Sequence, residues 1–162
     1  MTTVALRPVE DDDIEIFHRY ESDPVASERA AFPAREHDRF VKHWAKIRAD
    51  PSVNLRTVLV DSEVAGNIVE WEQDEQHWLG YWFGRAFWGR GVGSTALRLF
   101  LDEIPIRPLY ADPAEQNVGS VRLLEKVGFQ RVPPEQQPPP EDGIQYVLHV
   151  LGSPDDRPSD ST

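Results

Sequence analysis

Three of the ten glycines in the chain lie close together, at Gly89, Gly91 and Gly93, within the stretch 87–97. A turn requires one or two glycines, so three indicate a backbone kept free of side chains for the close approach of a ligand. A helical pattern begins directly afterwards, so the backbone amides of residues 90–94 would point at an anion at the N-terminal end of that helix. The spacing therefore predicts a site for a diphosphate.

Three interpretations of this glycine stretch compete. The first is a plain turn between a strand and a helix. The second is a dinucleotide-binding turn, because residues 91–96 match G-x-G-x-x-A and Asp112 lies near the position of a ribose-binding acid. That motif follows an aliphatic parallel strand, whereas here residues 84–88 intervene after strands of antiparallel pattern. The third, which we favour, is a pyrophosphate cradle to which Arg85 and Arg90 add charge-assisted hydrogen bonds.

The apolar periodicity predicts one α/β domain whose strands and helices position this stretch. An acidic run at residues 10–13 opens the first helix, and Asp23-Pro24 ends it. Asn117 caps the last helix, and Gly128 stands where a left-handed C-terminal cap belongs. The predicted strands are residues 4–8, 55–60, 64–71, 77–83, 108–112, 129–132 and 144–151, a hairpin turn lies at 61–63, and the other helices begin near residues 33 and 94.

The composition limits the class of protein. The chain has 162 residues, 40% of them hydrophobic, which is enough for one folded domain over residues 1–151. The polar residues 152–162 are predicted to form a disordered tail. No apolar run is long enough for a membrane span and no secretory signal stands at the start, so we expect no membrane partner and a cytoplasmic location. Because the chain has no cysteine, it has no disulfides or thiolate metal sites, and we expect no metal.

The formal net charge of −11 disfavours nucleic acid as a partner, since phosphate binding requires a positive surface. The same charge would attract cationic ligands such as amines. Acidity also serves solubility alone, so it does not by itself identify a ligand.

Four motifs occur together along the chain. They are Gly80-Tyr81-Trp82, Trp88-Gly89-Arg90-Gly91-Val92-Gly93 with Ala96-Leu97, Asn117-Val118-Gly119-Ser120 and Glu125-Lys126-Val127-Gly128-Phe129. In combination they resemble the GNAT superfamily of N-acyltransferases, and within it the RimJ/RimL-like acetyltransferases, over most of residues 4–151. Trp88 stands where the family signature Q/R-x-x-G-x-G/A begins with Gln or Arg, a departure familiar in this branch. The resemblance implies a mixed, mostly antiparallel twisted sheet of six to seven strands flanked by about four helices.

The resemblance also implies acetyl-CoA as cosubstrate, with its pyrophosphate on the amides of residues 90–94 and its pantetheine arm between strands 77–83 and 108–112. In this branch the matching serine lies near the CoA sulfur, so Ser120 is predicted to protonate the departing thiolate. From the residues alone, Ser120 is an ordinary first-turn residue after the Asn117 cap. The residues predicted to bind the cosubstrate are Arg85, Arg90, Gly91, Val92, Gly93, Ser94, Asn117 and Ser120.

A general base is also needed, because an alkyl amine is mostly protonated at neutral pH. Glu70 and Glu72 share one face of a predicted strand, and His77 begins the next strand and titrates in the right range. Each of the three is otherwise a surface group on a half-exposed strand. Glu135 and Glu141 lie in a proline-rich loop that can border the acceptor site. Glu70 is our prediction for the base, taking the amine proton through a water.

The sequence therefore predicts transfer of an acetyl group from acetyl-CoA to a primary amine by direct attack in a ternary complex, because no cysteine is present to carry the acyl group. The acceptor is a protein N-terminus or a small cationic amine, and Trp44 and Phe32 lie on the segment that shapes the acceptor site in the family. Members of the family often pair, so a homodimer is a further expectation. The alternatives are a non-catalytic acyl-CoA-binding regulatory module and a nicotinamide-dependent oxidoreductase.

Overall fold

The computed structural model describes residues 2–152 and arranges them as one sheet with helices on both faces. The strands are β1 (Val4–Arg7), β2 (Asn54–Val60), β3 (Glu63–Gln73), β4 (Gln76–Phe83), β5 (Leu109–Ala111), β6 (Gln130–Arg131) and β7 (His149–Leu151). The α-helices of this part of the chain are α1 (Asp13–Glu21), α2 (Pro24–Ala30), α3 (His37–Ala49), α4 (Val92–Glu103) and α5 (Val118–Lys126). The strand order is β1-β2-β3-β4-β5-β7-β6. The predicted mixed, mostly antiparallel sheet of six to seven strands is confirmed.

Two tight hairpins set the register of the central strands β2, β3 and β4. Each hairpin loop contains two residues. Two successive left-handed residues give the type I′ geometry, whose twist matches that of the flanking strands. The loop residues, all with positive φ, are Asp61, Ser62, Asp74 and Glu75. The hairpin predicted at residues 61–63 is therefore confirmed.

The parallel strands β4 and β5 pair at only two positions, His77 with Leu109 and Trp78 with Tyr110. β4 continues to Phe83, whereas β5 ends at Ala111. Beyond Trp78, the edge of β4 that faces β5 therefore borders a gap instead of a strand. An unpaired strand edge presents backbone N–H and C=O groups to whatever enters such a gap.

The sheet buries a separate apolar cluster on each face. Below α4, Leu97 packs with Ile68 of β3, and both are fully buried. On the opposite face, Phe17 of α1 and Trp44 of α3 lie with ring centroids 4.9 Å apart, against Val69. Successive residues of β3 thus point into different clusters, as the pleat of a strand requires.

The helical region after α1 differs from the sequence prediction. Asp23-Pro24 ends α1 as expected, but the same pair also begins α2, which the sequence pattern does not predict. The Asp23 carboxylate accepts a hydrogen bond from the Val25 amide at 3.1 Å, and Pro24 occupies the first helical turn. α3 then begins at His37 instead of near Pro33. An Asp-Pro pair that ends one helix is equally suited to start the next. The sequence pattern alone therefore cannot distinguish a helix end from a helix start at this pair.

The last strand is shorter than the predicted range 144–151. The side chain of Gln137, in the proline-rich loop, takes the place of a strand partner at Leu148: its Oε1 accepts from the amide at 2.7 Å, and its Nε2 donates at 3.1 Å to the carbonyl, which also accepts from the Val132 amide at 3.1 Å. β7 is consequently limited to His149–Leu151. Most of the tail predicted to be disordered, 153–162, lies outside the described residues. Between residues 2 and 152, no helix combines the length and the apolar character needed to cross a bilayer.

The buried carboxylate of Asp13 joins β1, α1 and β2. Only 2% of the residue is exposed, and its oxygens accept hydrogen bonds from both Arg7 terminal nitrogens at 2.7 and 2.9 Å. The Glu10 amide and the Thr57 hydroxyl donate to it at 2.8 and 2.7 Å. Burial by itself would raise the pKa of Asp13, but the hydrogen bonds and the positive charge of Arg7 outweigh burial and lower it.

Replacing this carboxylate should therefore destabilise the fold. Asp13→Asn is expected to lower the free energy of unfolding by about 3 kcal/mol at neutral pH, because the amide turns donors toward Arg7. Since the folded-state pKa is lowered, the carboxylate's contribution is present above the ordinary value of 3.8 and lost as the pH falls through the folded-state value. Chemical denaturation across this range measures the effect. Asp12→Asn, at an exposed cap that makes no side-chain hydrogen bond, is the control and should stay within about 0.5 kcal/mol; equal losses in both variants would contradict the assignment.

Candidate active site

A cavity of about 1040 Å³ occupies the gap between β4 and β5 and extends to both faces of the sheet. On one face it is lined by the glycine stretch and the start of α5, including Gly91 and Ser120; we call this part the glycine arm. On the other face it is lined by α1, α2, α3 and β3, including Trp44 and Trp71; we call this part the helix arm. A ligand in one arm can therefore meet a ligand in the other through the gap.

The three glycines of the glycine arm lack side chains for two different structural reasons. Gly89 and Gly91 have φ of 71° and 76°, the left-handed region that side chains disfavour, and a Cβ on either would meet open space. Gly93 sits within α4, and a Cβ there would lie 2.9 Å from the Leu123 side chain. Gly93 is thus bare because α5 packs against it, whereas Gly89 and Gly91 leave room in front of the backbone.

The N-terminal end of α4 presents free amide donors to the cavity. The first amide paired within the helix is that of Thr95, which donates to the Gly91 carbonyl at 3.2 Å. The preceding amides of Val92, Gly93 and Ser94 have no helical acceptor, as at every helix start, and no side chain caps them. The Ser94 hydroxyl donates to the Gly91 carbonyl at 3.2 Å instead. These donors and the helix dipole favour an anion here.

The two arginines predicted to assist this cradle face elsewhere. Arg85 forms an ion pair with Asp23, with 3.0 Å between Nε and Oδ2, and Arg90 lies with its guanidinium 5.7 Å from the centroid of the Phe87 ring. Neither belongs to the cavity lining, whereas the cationic side chains of Arg29 and Lys126 do. The geometry therefore gives no support to the predicted roles of Arg85 and Arg90.

Asn117 and Ser120 come together in the glycine arm as predicted. The Asn117 Oδ1 accepts a hydrogen bond from the Ser120 amide at 3.3 Å, so Asn117 caps α5 with its side chain. The Ser120 hydroxyl plays no part in the cap. It is hydrogen-bonded to the hydroxyl of Tyr81 on β4, with 2.5 Å between the oxygens. Burial raises the pKa of Tyr81, so the tyrosine hydroxyl keeps its proton at neutral pH.

Glu70 occupies a different environment from the one predicted for a base. It is fully buried, and its carboxylate is held by the Asn54 Nδ2 at 2.9 Å and by the His77 Nδ1 at 2.6 Å. On β3 it shares a face with Ile68, which belongs to the core below α4. Neither Glu70 nor His77 lines the cavity, so the geometry does not support Glu70 as the base. Glu72 does line it, with an exposed side chain.

The helix arm contains two proton acceptors that the sequence patterns did not single out. Glu21 is 6% exposed and lines the cavity, and burial raises its pKa although Arg35 works in the opposite direction. Burial, together with the charges of Arg35 and Lys46, lowers the pKa of His43, so its ring is neutral at neutral pH. A helical-spacing signal existed for both: Glu21 follows the core residue Phe17 by four positions, and His43 lies on the inward face of α3.

Comparison with known proteins agrees with this geometry. The family described as the acetyltransferase (GNAT) domain matches residues 3–130. A probable N-acetyltransferase of Bacillus subtilis, YjcK, is 35% identical over 57 residues, which cover 33% of this chain and 32% of that protein. The chain thus matches only about a third of that relative.

Solved structures share the fold at low identity. Spermidine N-acetyltransferase from Vibrio cholerae, in complex with CoA and spermine, superposes with a TM-score of 0.75 at 17% identity, over 91% of this chain and 92% of that one. Aminoglycoside acetyltransferase AAC(6')-Ib, in complex with coenzyme A, gives a TM-score of 0.73 at 18% identity, over 93% and 95% of the two chains.

The fold class is that of the GNAT acetyltransferases. Its features here are a seven-stranded sheet that opens between β4 and β5 and a helix start without side-chain caps beside the opening. The family match over residues 3–130 makes the assignment specific: this chain belongs to the GNAT acetyltransferase domain family.

Proposed function

We propose that this protein transfers an acetyl group from acetyl-CoA to a primary amine, by direct attack within a ternary complex, and that it belongs to the RimJ/RimL-like branch. The observation that carries the proposal is the joining of three features in one cavity: the free amides of α4, the unpaired edge of β4 and the hydroxyl of Ser120. The amides suit a diphosphate, and the strand edge suits an extended amide-containing arm.

The proposed reaction needs a proton acceptor for the amine and a proton donor for the sulfur. The amine nitrogen bonds to the thioester carbonyl carbon as the carbon–sulfur bond breaks, and the thiolate takes a proton from Ser120. Tyr81 is hydrogen-bonded to the Ser120 oxygen and stabilises the negative charge left on it, and Ser120 regains a proton from solvent once the thiol has left. The proton released by the amine passes to Glu21 or His43, directly or through a water, since both lie in the helix arm.

Thermal unfolding with excess acetyl-CoA, CoA or NADH tests the cosubstrate. A ligand at about a hundred times its Kd should add roughly 2.7 kcal/mol to the free energy of unfolding and raise the Tm. We expect both CoA species to raise the Tm and NADH to leave it unchanged. In a dinucleotide site the glycine motif directly follows a parallel strand of a repeated β-α-β unit, whereas here residues 84–91 separate β4 from α4 and, within residues 2–152, β4 and β5 are the one parallel pair. A shift with NADH alone would favour the oxidoreductase alternative. CoA binding without acetylation of any amine would favour the regulatory module.

Substitution of Gly91 tests the position of the diphosphate. Gly91→Asp should abolish acetyl-CoA binding, measured by calorimetry, because its side chain enters the open space before the start of α4 and its carboxylate repels an anion there. Gly91→Asn is the matched control: it occupies the same left-handed backbone, which Asp and Asn tolerate better than other residues, without the charge. The assignment fails if Gly91→Asp binds acetyl-CoA as tightly as Gly91→Asn does.

Substitution of Ser120 tests the proton donor. Ser120→Ala should lower kcat by about 100-fold with little change in acetyl-CoA affinity, because it removes the acid and leaves the Asn117 cap intact. Tyr81→Phe keeps the serine and removes only its partner, so its kcat should fall less. A normal kcat for Ser120→Ala would show that the serine is only a residue of the helix start. A larger fall in kcat for Tyr81→Phe than for Ser120→Ala would indicate that the tyrosine is the acid.

A further inference from the structure

The helix arm presents a long apolar surface to a second substrate. Its floor is β3, where Asn67, Val69 and Trp71 point to the same face, and its opposite wall includes Phe17 and Trp44 of the core between the sheet and the helices. A strand rises about 3.3 Å per residue, so the floor from Asn67 to Trp71 spans about 13 Å. That length accommodates a small organic molecule with an extended or aromatic body.

The charged groups of this arm already compensate one another. The Glu21 carboxylate accepts two hydrogen bonds from Arg35, from its backbone amide at 3.2 Å and its Nη1 at 3.3 Å. The same guanidinium stacks on Phe32, 4.9 Å from the ring centroid. His43, with its lowered pKa, is uncharged. A second positive charge on a ligand would therefore meet Arg35 in this arm instead of an unpaired carboxylate.

The three other carboxylates that line the cavity, Asp50, Glu72 and Asp112, lie in exposed positions. Asp50 accepts hydrogen bonds from the amide and hydroxyl of Ser52 at 2.9 and 2.7 Å, and Glu72 is 56% exposed, with His77 3.9 Å away. Ion pairs at exposed sites contribute little and are screened by salt. These groups therefore provide weak selection for a polycation, despite the net charge of the whole chain.

One polar side chain stands at the inner end of the apolar floor. Asn67 is 7% exposed, lines the cavity and lies opposite Trp82, in the part of β4 that has separated from β5. Within residues 2–152 its side-chain amide forms no hydrogen bond with the protein, so its Oδ1 is available to an amine N–H. Trp82, opposite Asn67, also buries an indole N–H that has no partner among the described residues, but an N–H cannot accept a hydrogen bond from an amine. Asn67 therefore supplies the acceptor at this end of an otherwise apolar floor, which matches a ligand with one amine at the end of an apolar body.

We propose that the acceptor is a primary monoamine carried on an alkyl or arylalkyl body, and that the helix arm discriminates against polyamines and aminoglycosides. The amine would lie at Asn67, beside the gap, and the body along Val69 and Trp71. This specificity differs from the substrates named for the spermidine and aminoglycoside enzymes that share the fold. The inference rests on the proposed acetyl transfer, but binding of the acceptor can be measured without it.

The test is calorimetric binding of amines to the CoA complex, in which no acetyl group is present to react. Hexylamine and hexamethylenediamine form a matched pair that differs in one ammonium group, and phenethylamine and spermidine form a second pair. We expect each monoamine to bind at least about tenfold more tightly than its partner, because the second charge meets Arg35. Equal or tighter binding of the diamine or of spermidine, or no binding of either monoamine, would overturn the proposal.

Trp71 supplies the matched variants. Its ring lies over Gly80, where an added Cβ would be 3.1 Å from it, so it forms a fixed part of the floor. Trp71→Ala should weaken phenethylamine binding by about tenfold, and Trp71→Phe should restore most of it. If both variants bind phenethylamine like the parent, the floor is not the acceptor site. The Tm shift with acetyl-CoA is recorded for the same samples, so loss of the cosubstrate site is distinguished from a wrong acceptor.

Discussion

β4 and β5 separate after two paired residues, and the cavity, the bare start of α4 and the apolar floor on β3 all lie along this separation. Parallel strands normally stay paired because unpaired backbone groups inside a protein are costly. Here β5 ends after three residues, and the edge of β4 is left open into a cavity. Packing on both faces fixes the strands beside this opening: the core below α4 includes Leu79 of β4, and the aromatic cluster of α1 and α3 packs on Val69 of the neighbouring strand β3. The gap is consequently a stable part of the fold.

The glycine stretch and the start of α5 are placed relative to that gap by ordinary packing. Leu123 presses against the bare Cα of Gly93, which brings the two helix starts together on one side of β4. Ser120 then reaches Tyr81 across the opening. The same contact explains why a glycine is needed inside α4, where it weakens the helix slightly. Within one short segment, Gly93 is therefore required for helix packing, and the neighbouring Gly89 and Gly91 leave room for a ligand.

The sequence was sufficient for the sheet, the main helices and the Asn117 cap, because period-two and period-3.6 patterns and turn residues act locally. It was insufficient at Asp23-Pro24, which both ends α1 and begins α2. It was also insufficient at Gln137, whose side chain replaces a strand partner. The candidate base shows the same limit. The alternation along β3 correctly places Glu70 on one face of the strand. Which face is covered by helices depends on residues far away in the chain, so the burial of Glu70 could not be predicted. Glu21 and His43 were missed because helical spacing can place them on the inward faces of α1 and α3 but does not show that a cavity opens beside them.

The two arms of the cavity lie on opposite faces of the sheet, and this has a kinetic consequence for the proposed reaction. A nucleotide-bearing substrate held at the start of α4 and an amine held between β3 and the helices approach each other from different sides of β4. Neither has to pass through the space that the other fills. No compulsory order of addition is built into the fold, and any preferred order must arise from one substrate changing the shape of the opening for the other.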